Sequence, residues 1–237
     1  MPADSRDPPL NRLLQALPRR ESQQLLAACE AVELGFGEVL YEPNAVIRYV
    51  YFPTDSFISL MIPVDRTANL EVGLVGNEGM LGEPLVLGVE VSRLRALVQG
   101  AGPAWRIKAV KFARLLDRSP TLRPALHRYV QVRMTQLAQA AACTRFHVLE
   151  ERLARWLLMT QDRAHMDEFH MTHQFLAYML GVRRVGVTNA ANSLQKRKLI
   201  RYHHGEVKIL DRAGMERAAC ACYKADRETY DELLAAA

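Results

Sequence analysis

The chain has 237 residues, of which 49% are hydrophobic and 24% are charged, and this balance excludes extensive disorder. A chain of this length can form two compact domains, or one domain with a substantial arm. The formal net charge is only +5, so its distribution along the chain says more than its total. Residues 1–10 lack the apolar core of a signal peptide, and no later stretch approaches the roughly 18 apolar residues of a membrane span. We therefore expect a cytoplasmic protein with no membrane partner.

Short apolar runs separated by Gly, Pro, Asn and Asp occupy residues 32–107 and predict a small all-β unit. The runs lie at residues 46–52, 57–62, 70–75 and 95–99.

The pattern becomes helical near Val110, and Ser119 followed by Pro120 fits the N-cap and first turn of a long helix. Apolar residues then recur at alternating steps of four and three, the heptad spacing of a coiled-coil seam. They are Val130, Met134, Leu137, Ala141, Thr144 and Val148. We predict that this stripe is the seam of a homodimer; packing on the β unit of the same chain is the alternative. The apolar face changes after Val148, which predicts a second helix beginning near Phe146.

Residues 161–170 are polar, which suits a connecting loop or a short strand. Thr172 then precedes a predicted helix at 174–180 that ends at Gly181, and a second helix is predicted at 185–198. A helix, a tight turn and another helix form a helix-turn-helix. Residues 200–202 and 207–210 predict two short strands joined by a turn that contains Gly205, which would be a wing.

The stretch between Gly181 and Gly205 contains six basic residues and no Asp or Glu. The bases are Arg183, Arg184, Lys196, Arg197, Lys198 and Arg201. Such a face favours binding to DNA phosphates, with an affinity that falls as salt rises, over a merely solvated basic helix. Small and polar residues between the bases leave room to approach base edges.

Three segments carry a resemblance to a known family: Arg-Ile-Lys-Ala-Val-Lys-Phe-Ala-Arg-Leu-Leu at 106–116, Glu-Arg-Leu-Ala-Arg-Trp-Leu-Leu at 151–158, and Thr-His-Gln-Phe-Leu-Ala-Tyr-Met-Leu-Gly-Val-Arg-Arg at 172–184. Together they resemble the Crp/Fnr superfamily of bacterial transcription factors over nearly the full length. The resemblance implies an α+β fold with an N-terminal β-roll of the cyclic-nucleotide-binding type, a long dimerisation helix and a C-terminal winged helix-turn-helix. The corresponding segments are 1–118 for the sensor, 119–145 for the dimerisation helix and 146–237 for the DNA-binding domain. It also implies a dimer that binds an inverted repeat in double-stranded DNA, and RNA polymerase as a partner if the protein is an activator.

The family reads bases with an Arg, a Glu and an Arg, which fall here on Arg184, Val185 and Asn189. Because only the first is kept, the preferred half-site should differ from the family's best-known one. Our hypothesis is that Arg184 reads a guanine or anchors a phosphate, while Asn189 or Asn192 contacts an adenine. The full set of predicted DNA-binding residues is Thr172, His173, Arg183, Arg184, Val185, Thr188, Asn189, Asn192, Lys196, Arg197, His203 and His204.

The resemblance also gives a candidate ligand site, formed by Gly82, Glu83, Arg93, Arg95 and Leu137. The family's Gly-Glu pair is present, but Leu94 falls at its phosphate-binding Arg, and Leu137 and Ala138 replace the polar pair that would contact adenine. A one-residue slip in a strand turns a side chain to the opposite face. Cyclic AMP is therefore disfavoured. A different nucleotide, including a cyclic dinucleotide held by Arg93 or Arg95, another small-molecule effector, and no ligand at all stay open.

The four cysteines are too scattered for a disulfide framework or a paired C-x-x-C zinc site, so we expect reduced thiols. They are Cys29, Cys143, Cys220 and Cys222. For the pair Cys220 and Cys222, with His203 and His204 nearby in sequence, we favour packing in the last helix over a metal or redox site. No cysteine precedes Cys29, which argues against an N-terminal iron–sulfur cluster. We predict no metal ligands and no cofactor.

No enzyme motif stands out. The glycines at 73, 76, 79 and 82 do not follow G-x-G-x-x-G, and G-x-S-x-G and H-E-x-x-H are both missing from the sequence. We expect no catalysis. The alternative to a DNA-binding regulator is a signalling module that uses the β-roll and the winged helix to contact a partner protein, and the acid-free basic stretch favours DNA.

Overall fold

The computed structural model describes residues 11–63 and 69–235, with side chains up to residue 232. The α-helices in these ranges are α1 Arg12–Ala16, α2 Arg19–Ala28, α3 Ala109–Arg118, α4 Leu122–Phe146, α5 Leu149–Ala164, α6 His173–Leu180, α7 Arg184–Lys196, α8 Arg212–Ala218 and α9 Cys222–Ala235. The strands are β1 Glu30–Leu34, β2 Val39–Tyr41, β3 Tyr49–Pro53, β4 Phe57–Pro63, β5 Asn69–Val75, β6 Arg95–Gly100, β7 Gly102–Lys108, β8 Glu168–His170, β9 Ile200–His203 and β10 Glu206–Ile209. The result is the predicted α+β order of strands, a long helix, and further helices with a small sheet.

Contacts between residues divide the chain into two compact units. The first holds described residues 11–58, 75–131 and 233–235, and the second holds 59–63, 69–74 and 132–232. This division differs from the three functional segments 1–118, 119–145 and 146–237, which stay predictions.

The first unit contains an antiparallel sheet in which β7 lies between β1 and β3. Its register pairs Val32 with Ala104 and Phe52 with Trp105. Strand β3 is buried at four of its five residues, because both of its faces are covered, and this explains its nearly continuous apolar sequence. Strand β2 pairs with β6, and the register shifts between Val39 and Tyr41.

All four predicted apolar runs correspond to strands, β3 to β6. The run at 46–52 becomes a strand only from Tyr49. Ile47 precedes the strand and is still buried, at 2% exposure, so burial alone accounts for its apolar character.

Helix α4 begins at Leu122, later than the predicted cap and first-turn proline suggest. The Ser119 backbone N–H donates to the Leu115 carbonyl at the end of α3, while its Oγ accepts from the Leu122 N–H at 3.1 Å. Ser119 therefore ends one helix and caps the next. We predicted that the next helix begins near Phe146. Helix α5 begins three residues later, at Leu149.

The second unit is organised around α5, which packs against α7 and α8 and buries Leu153, Trp156 and Leu157. Helix α5 extends to Ala164, into the polar segment that we predicted to be a loop or a strand. Gln161 can be buried there because its amide donates to Asp167 at 2.7 Å and accepts from Arg212 at 2.7 Å. The rest of that segment contains β8, which joins β10 and β9 in a three-stranded antiparallel sheet. Among the described residues, no helix combines the length and apolar character needed to cross a membrane.

Candidate nucleic-acid interface

Helix α6 has a defined cap at each end. The Thr172 Oγ1 accepts from the Phe175 N–H at 3.1 Å, as the sequence predicts for an N-cap. Gly181 ends the helix in the left-handed conformation, with φ of 63°, and the Arg152 guanidinium donates to the Leu180 carbonyl at 2.7 Å. The turn that leads into α7 is therefore fixed by local hydrogen bonds.

Helix α7 has one buried side and one exposed side. Val187, Ala191 and Leu194 are buried, and the helix packs on α5 and α6. The exposed residues recur at helical spacing on the opposite side and are Arg184, Val185, Asn189, Asn192 and Lys196. Five of the predicted DNA-binding residues thus share one solvent-facing surface.

The helix ends at Lys196, two residues before the predicted end, because Lys198 adopts the left-handed conformation with φ of 59°. Arg183, the residue before α7, and the adjacent bases Lys198 and Arg201 are exposed as well.

Strands β9 and β10 form the predicted hairpin, with His203 paired to Glu206. The two residues between them, His204 and Gly205, have φ of 47° and 89°, the positive values that a tight two-residue turn requires. His203 and His204 are exposed at this tip, with ring centroids 4.0 Å apart. The hairpin therefore presents the two predicted histidines to solvent.

His173 lies at the junction of α6, α7 and β9. Its Nδ1 is 3.0 Å from the Thr188 Oγ1, and that hydroxyl donates to the Arg184 carbonyl at 3.1 Å. Since the hydroxyl proton is used, the His173 Nδ1 carries the ring proton and donates to Thr188. The His173 ring also stacks on Tyr202, with centroids 4.2 Å apart.

Two further bonds hold Tyr202 in this cluster. Its hydroxyl donates to the Met171 carbonyl at 2.7 Å, and its backbone N–H donates to the Gln195 side chain at 2.8 Å. Burial, and then the nearby charge of Arg184, lower the pKa of His173, while burial raises the pKa of Tyr202. The sequence prediction did not include Tyr202; its aromatic side chain in the strand that follows α7 was the one available signal.

Arg197 differs from the other predicted basic contacts. Its guanidinium forms a 2.7 Å ion pair with Glu150, an acid that lies outside the acid-free stretch. Both side chains are partly exposed, so Arg197 can still contact DNA, but Glu150 offsets part of the positive charge at this point of the surface. Arg183, Arg184 and Lys196 are thus the stronger candidates for phosphate contact.

Of the candidate ligand residues in the first unit, Gly82 and Glu83 lie at the start of a short 3₁₀ helix, Glu83–Leu87. Gly82 precedes it with φ of 115°, and its N–H donates to the Glu83 carboxylate at 3.1 Å. Arg93 is exposed and donates to Asn44 at 2.7 Å, whereas Arg95 is half-buried and lies 3.5 Å from the Glu42 carboxylate. Both arginines therefore have partners within the protein. The fifth candidate, Leu137, lies on α4 and is exposed.

Most of the predicted dimer stripe is exposed; five of its six residues lie on α4, whereas Val148 lies beyond the end of α4 and is the N-cap residue of α5. Met134, Leu137 and Val148 are 59%, 40% and 63% exposed, and Ala141 and Thr144 are also exposed. Val130 differs, because it is only 7% exposed within the chain. Phe146, which the sequence prediction left out of the stripe, is the last residue of α4 and is 78% exposed.

Residues 151–218 match the family model of a Crp-like helix-turn-helix domain. Among solved structures, a protein assigned to the crp/fnr family of transcriptional regulators from Eubacterium rectale ATCC 33656 has a TM-score of 0.68 at 15% identity, covering 87% of this chain and 96% of its own. The c-di-GMP responsive global regulator CLP from Xanthomonas campestris has a TM-score of 0.66 at 15% identity, covering 81% and 99%. A CRP/FNR family transcriptional regulator from Thermus thermophilus has a TM-score of 0.66 at 20% identity, covering 80% and 98%. No curated protein matches the chain.

Proposed function

Because the chain carries a Crp-like helix-turn-helix domain within the fold of Crp/Fnr regulators, we propose that it is a dimeric, sequence-specific DNA-binding regulator whose α7 enters the major groove. The observation that carries the proposal is the exposed side of α7, which combines bases with small polar residues and contains no acid. Recognition helices of this motif contact base edges through residues near their N-terminus. Arg184 is the first residue of α7, and Asn189 follows on the same exposed side.

Each predicted contact has a separate role in this proposal. Arg184 reads a guanine through two parallel hydrogen bonds or anchors a phosphate, and Asn189 or Asn192 reads an adenine. Other residues contact the DNA backbone and thereby position the helix: Arg183, Lys196, the Thr172 cap region and the wing histidines. His173 contributes indirectly, because its bond to Thr188 and its stack on Tyr202 fix α7 and β9 relative to α6.

A homodimer supplies the second recognition helix. The exposed apolar stripe of α4 supports a seam between two copies, since its residues recur at heptad spacing and most of them remain uncovered in the single chain. A two-fold dimer requires an inverted repeat with half-sites about one DNA turn apart.

The effector, where one acts, is a molecule other than cyclic AMP. A phosphate that binds Arg93 or Arg95 uses the donors that their contacts with Asn44 and Glu42 leave over, or displaces these partners. The Xanthomonas campestris protein is named for its response to c-di-GMP, which supports a cyclic dinucleotide as one candidate.

The test is selection of a preferred site from a random DNA library with the full chain, followed by affinity measurements on that site. We expect Arg184→Ala to weaken binding by about 1–3 kcal/mol, roughly 5-fold to 150-fold, and to relax the preference at one position of each half-site. Arg184→Lys separates the two possible roles, because lysine keeps the charge and loses the planar fork. A phosphate anchor would tolerate lysine, whereas a guanine reader would not.

Lys224→Ala is the matched control for the loss of one positive charge, since Lys224 is an exposed residue of α9. Its affinity and preference should stay unchanged. Unchanged affinity and unchanged preference in Arg184→Ala would refute the assignment. A protein that selects no sequence at all would favour the alternative, a module that contacts a partner protein.

A further inference from the structure

Three of the four cysteines and one histidine meet at the C-terminal end of α4. Cys143 lies in the last turn of α4, and His147 follows four residues later with its N–H bonded to the Cys143 carbonyl at 3.2 Å. Both therefore lie on one side of the same helical turn. Cys220 lies in the connection between α8 and α9, and Cys222 is the first residue of α9. The four candidate donor atoms all lie within 4.8 Å of one another.

The distances within this Cys143–His147–Cys220–Cys222 cluster fit a metal ion. The Cys143 and Cys220 Sγ atoms are 3.5 Å apart, and the Cys222 Sγ is 3.4 Å from the His147 Nδ1. In a tetrahedral zinc site, bonds of about 2.3 Å to sulfur and 2.0 Å to nitrogen separate neighbouring ligands by roughly 3.5–3.8 Å. The two measured separations are close to those values, and the sulfur separation is well above the roughly 2.0 Å of a disulfide bond.

The surroundings of the cluster suit thiolates. Cys143, Cys220 and Cys222 are 2%, 6% and 1% exposed, and His147 is half-buried. The Gln139 amide donates to the Cys222 Sγ at 2.8 Å, a contact of the type that orients a metal ligand from outside.

We propose that Cys143, His147, Cys220 and Cys222 bind one Zn²⁺ per chain. Three thiolates and an imidazole are soft and borderline ligands that favour zinc over magnesium or calcium. Four protein ligands complete the tetrahedral coordination and leave no position for substrate, so the site is structural. The ion ties the end of α4 to the connection between α8 and α9, and thereby stabilises the fold of the helix-turn-helix unit.

The test measures the zinc content of the full-length protein purified under reducing conditions. We expect about one zinc per chain in the native protein and nearly complete loss in Cys220→Ser and Cys222→Ser. Cys29→Ser is the matched control, because Cys29 lies on the first unit and outside the cluster. It should retain the full zinc content. Replacement of zinc by Co²⁺ should give the ligand-field and thiolate charge-transfer absorption of a tetrahedral site with sulfur ligands.

A second measurement uses the native sequence alone and does not depend on how the variants fold. Alkylation followed by mass spectrometry should find Cys143, Cys220 and Cys222 more reactive after zinc is removed by a chelator, while Cys29 serves as the internal reference. Equal alkylation with and without zinc, or zinc content that survives both serine substitutions, would overturn the proposal. So would a Cys143–Cys220 disulfide that forms under mild oxidant equally well with zinc present. None of these measurements involves DNA, so their failure is separate from a failure of the DNA-binding proposal.

Discussion

His173 illustrates how one side chain connects three elements of the candidate interface. Its protonated Nδ1 donates to Thr188, while its Nε2 is buried without a hydrogen-bond partner among the contacts that the structure describes. A second proton would have to enter at that buried nitrogen, close to Arg184. The same burial and the same charge lower the pKa of His173, so the neutral ring is the form that the fold accommodates.

This lowered pKa predicts a specific dependence of stability on pH. In the unfolded chain His173 titrates near the ordinary value of about 6.5, whereas in the folded protein it titrates below that value. Between the two values the unfolded state binds more protons, so the free energy of unfolding falls as the pH falls through this window. His173→Gln lacks this contribution. As the pH is lowered, the free energy of unfolding should therefore fall less in the variant than in the native protein.

Thermal or urea denaturation of both proteins across that pH range measures the effect. The other six histidines are common to both proteins and cancel in the difference. His127→Gln, which changes an exposed histidine of α4, is the matched control. A stability difference between native protein and His173→Gln that does not vary with pH would contradict a neutral His173 with a lowered pKa.

The sequence predicted His173 and Arg197 as interface residues and missed what each of them contacts. Arg197 pairs with Glu150, 47 residues earlier, and His173 stacks on Tyr202, which belongs to a different element. Spacing along the chain indicates which side chains share a helix face, but it contains no information about contacts between distant elements. For this reason the exposed side of α7 was predictable, and the different character of Arg197 within it was not.

At the scale of elements, α4 was predicted more accurately in its pattern than in its ends. Five of the six residues of the predicted stripe lie on one continuous helix from Leu122 to Phe146, and the sixth, Val148, is the N-cap residue of α5. The predicted cap residue Ser119 does bond to the start of the helix, since its Oγ accepts from the Leu122 N–H. The Ser119 and Thr121 hydroxyls also bond to Glu21 of α2, about 100 residues earlier, and spacing along the chain could not reveal that contact.

The exposed stripe predicts the effect of a charge at its centre. Leu137→Asp places a carboxylate from each copy inside the proposed seam, where neither is paired and both lose water. We expect the dissociation constant of the dimer to rise at least about a hundredfold, with a parallel loss of affinity for an inverted repeat. Analytical ultracentrifugation measures the first effect, and titration of labelled DNA measures the second.

Ala142→Asp is the matched control, because it adds the same charge to an exposed position of α4 outside the heptad stripe. It should dimerise like the native protein. If Leu137→Asp dimerised and bound DNA as tightly as Ala142→Asp, the stripe would have another role, and packing within the chain would be the better interpretation.

At the scale of the whole molecule, the sequence predicted the order of the fold and a helix-turn-helix, and the comparisons agree with both. The cysteine cluster was beyond its reach. Cys220 and Cys222 were visible as a C-x-C pair, but that spacing alone is weak, and Cys143 lies 77 residues from its sulfur neighbour Cys220. Cys220 and Cys222 come after the winged helix in the chain, and only the fold places them beside Cys143 and His147 at the end of α4.

The proposed dimer predicts how DNA affinity depends on the spacing between half-sites. Two recognition helices related by a two-fold axis reach half-sites about 34 Å, or one helical turn, apart on the same side of the duplex. Insertion of roughly five base pairs at the centre of the selected site rotates one half-site to the opposite side, so only one recognition helix can bind. Affinity should then fall to the level of a single half-site.

The salt dependence should change together with the spacing, because the second copy's contacts to phosphates are lost and fewer counterions are released. Fluorescence anisotropy titrations on both sites at several salt concentrations measure the two effects. Leu137→Asp provides the internal control: a monomer contacts one half-site, so its affinity and its salt slope should be the same on both DNA molecules. If the affinity of the native protein were also independent of the spacing, only one recognition helix would be bound at a time, whatever the oligomeric state in solution. That result would refute the inverted repeat. It would not refute the proposed contacts of α7.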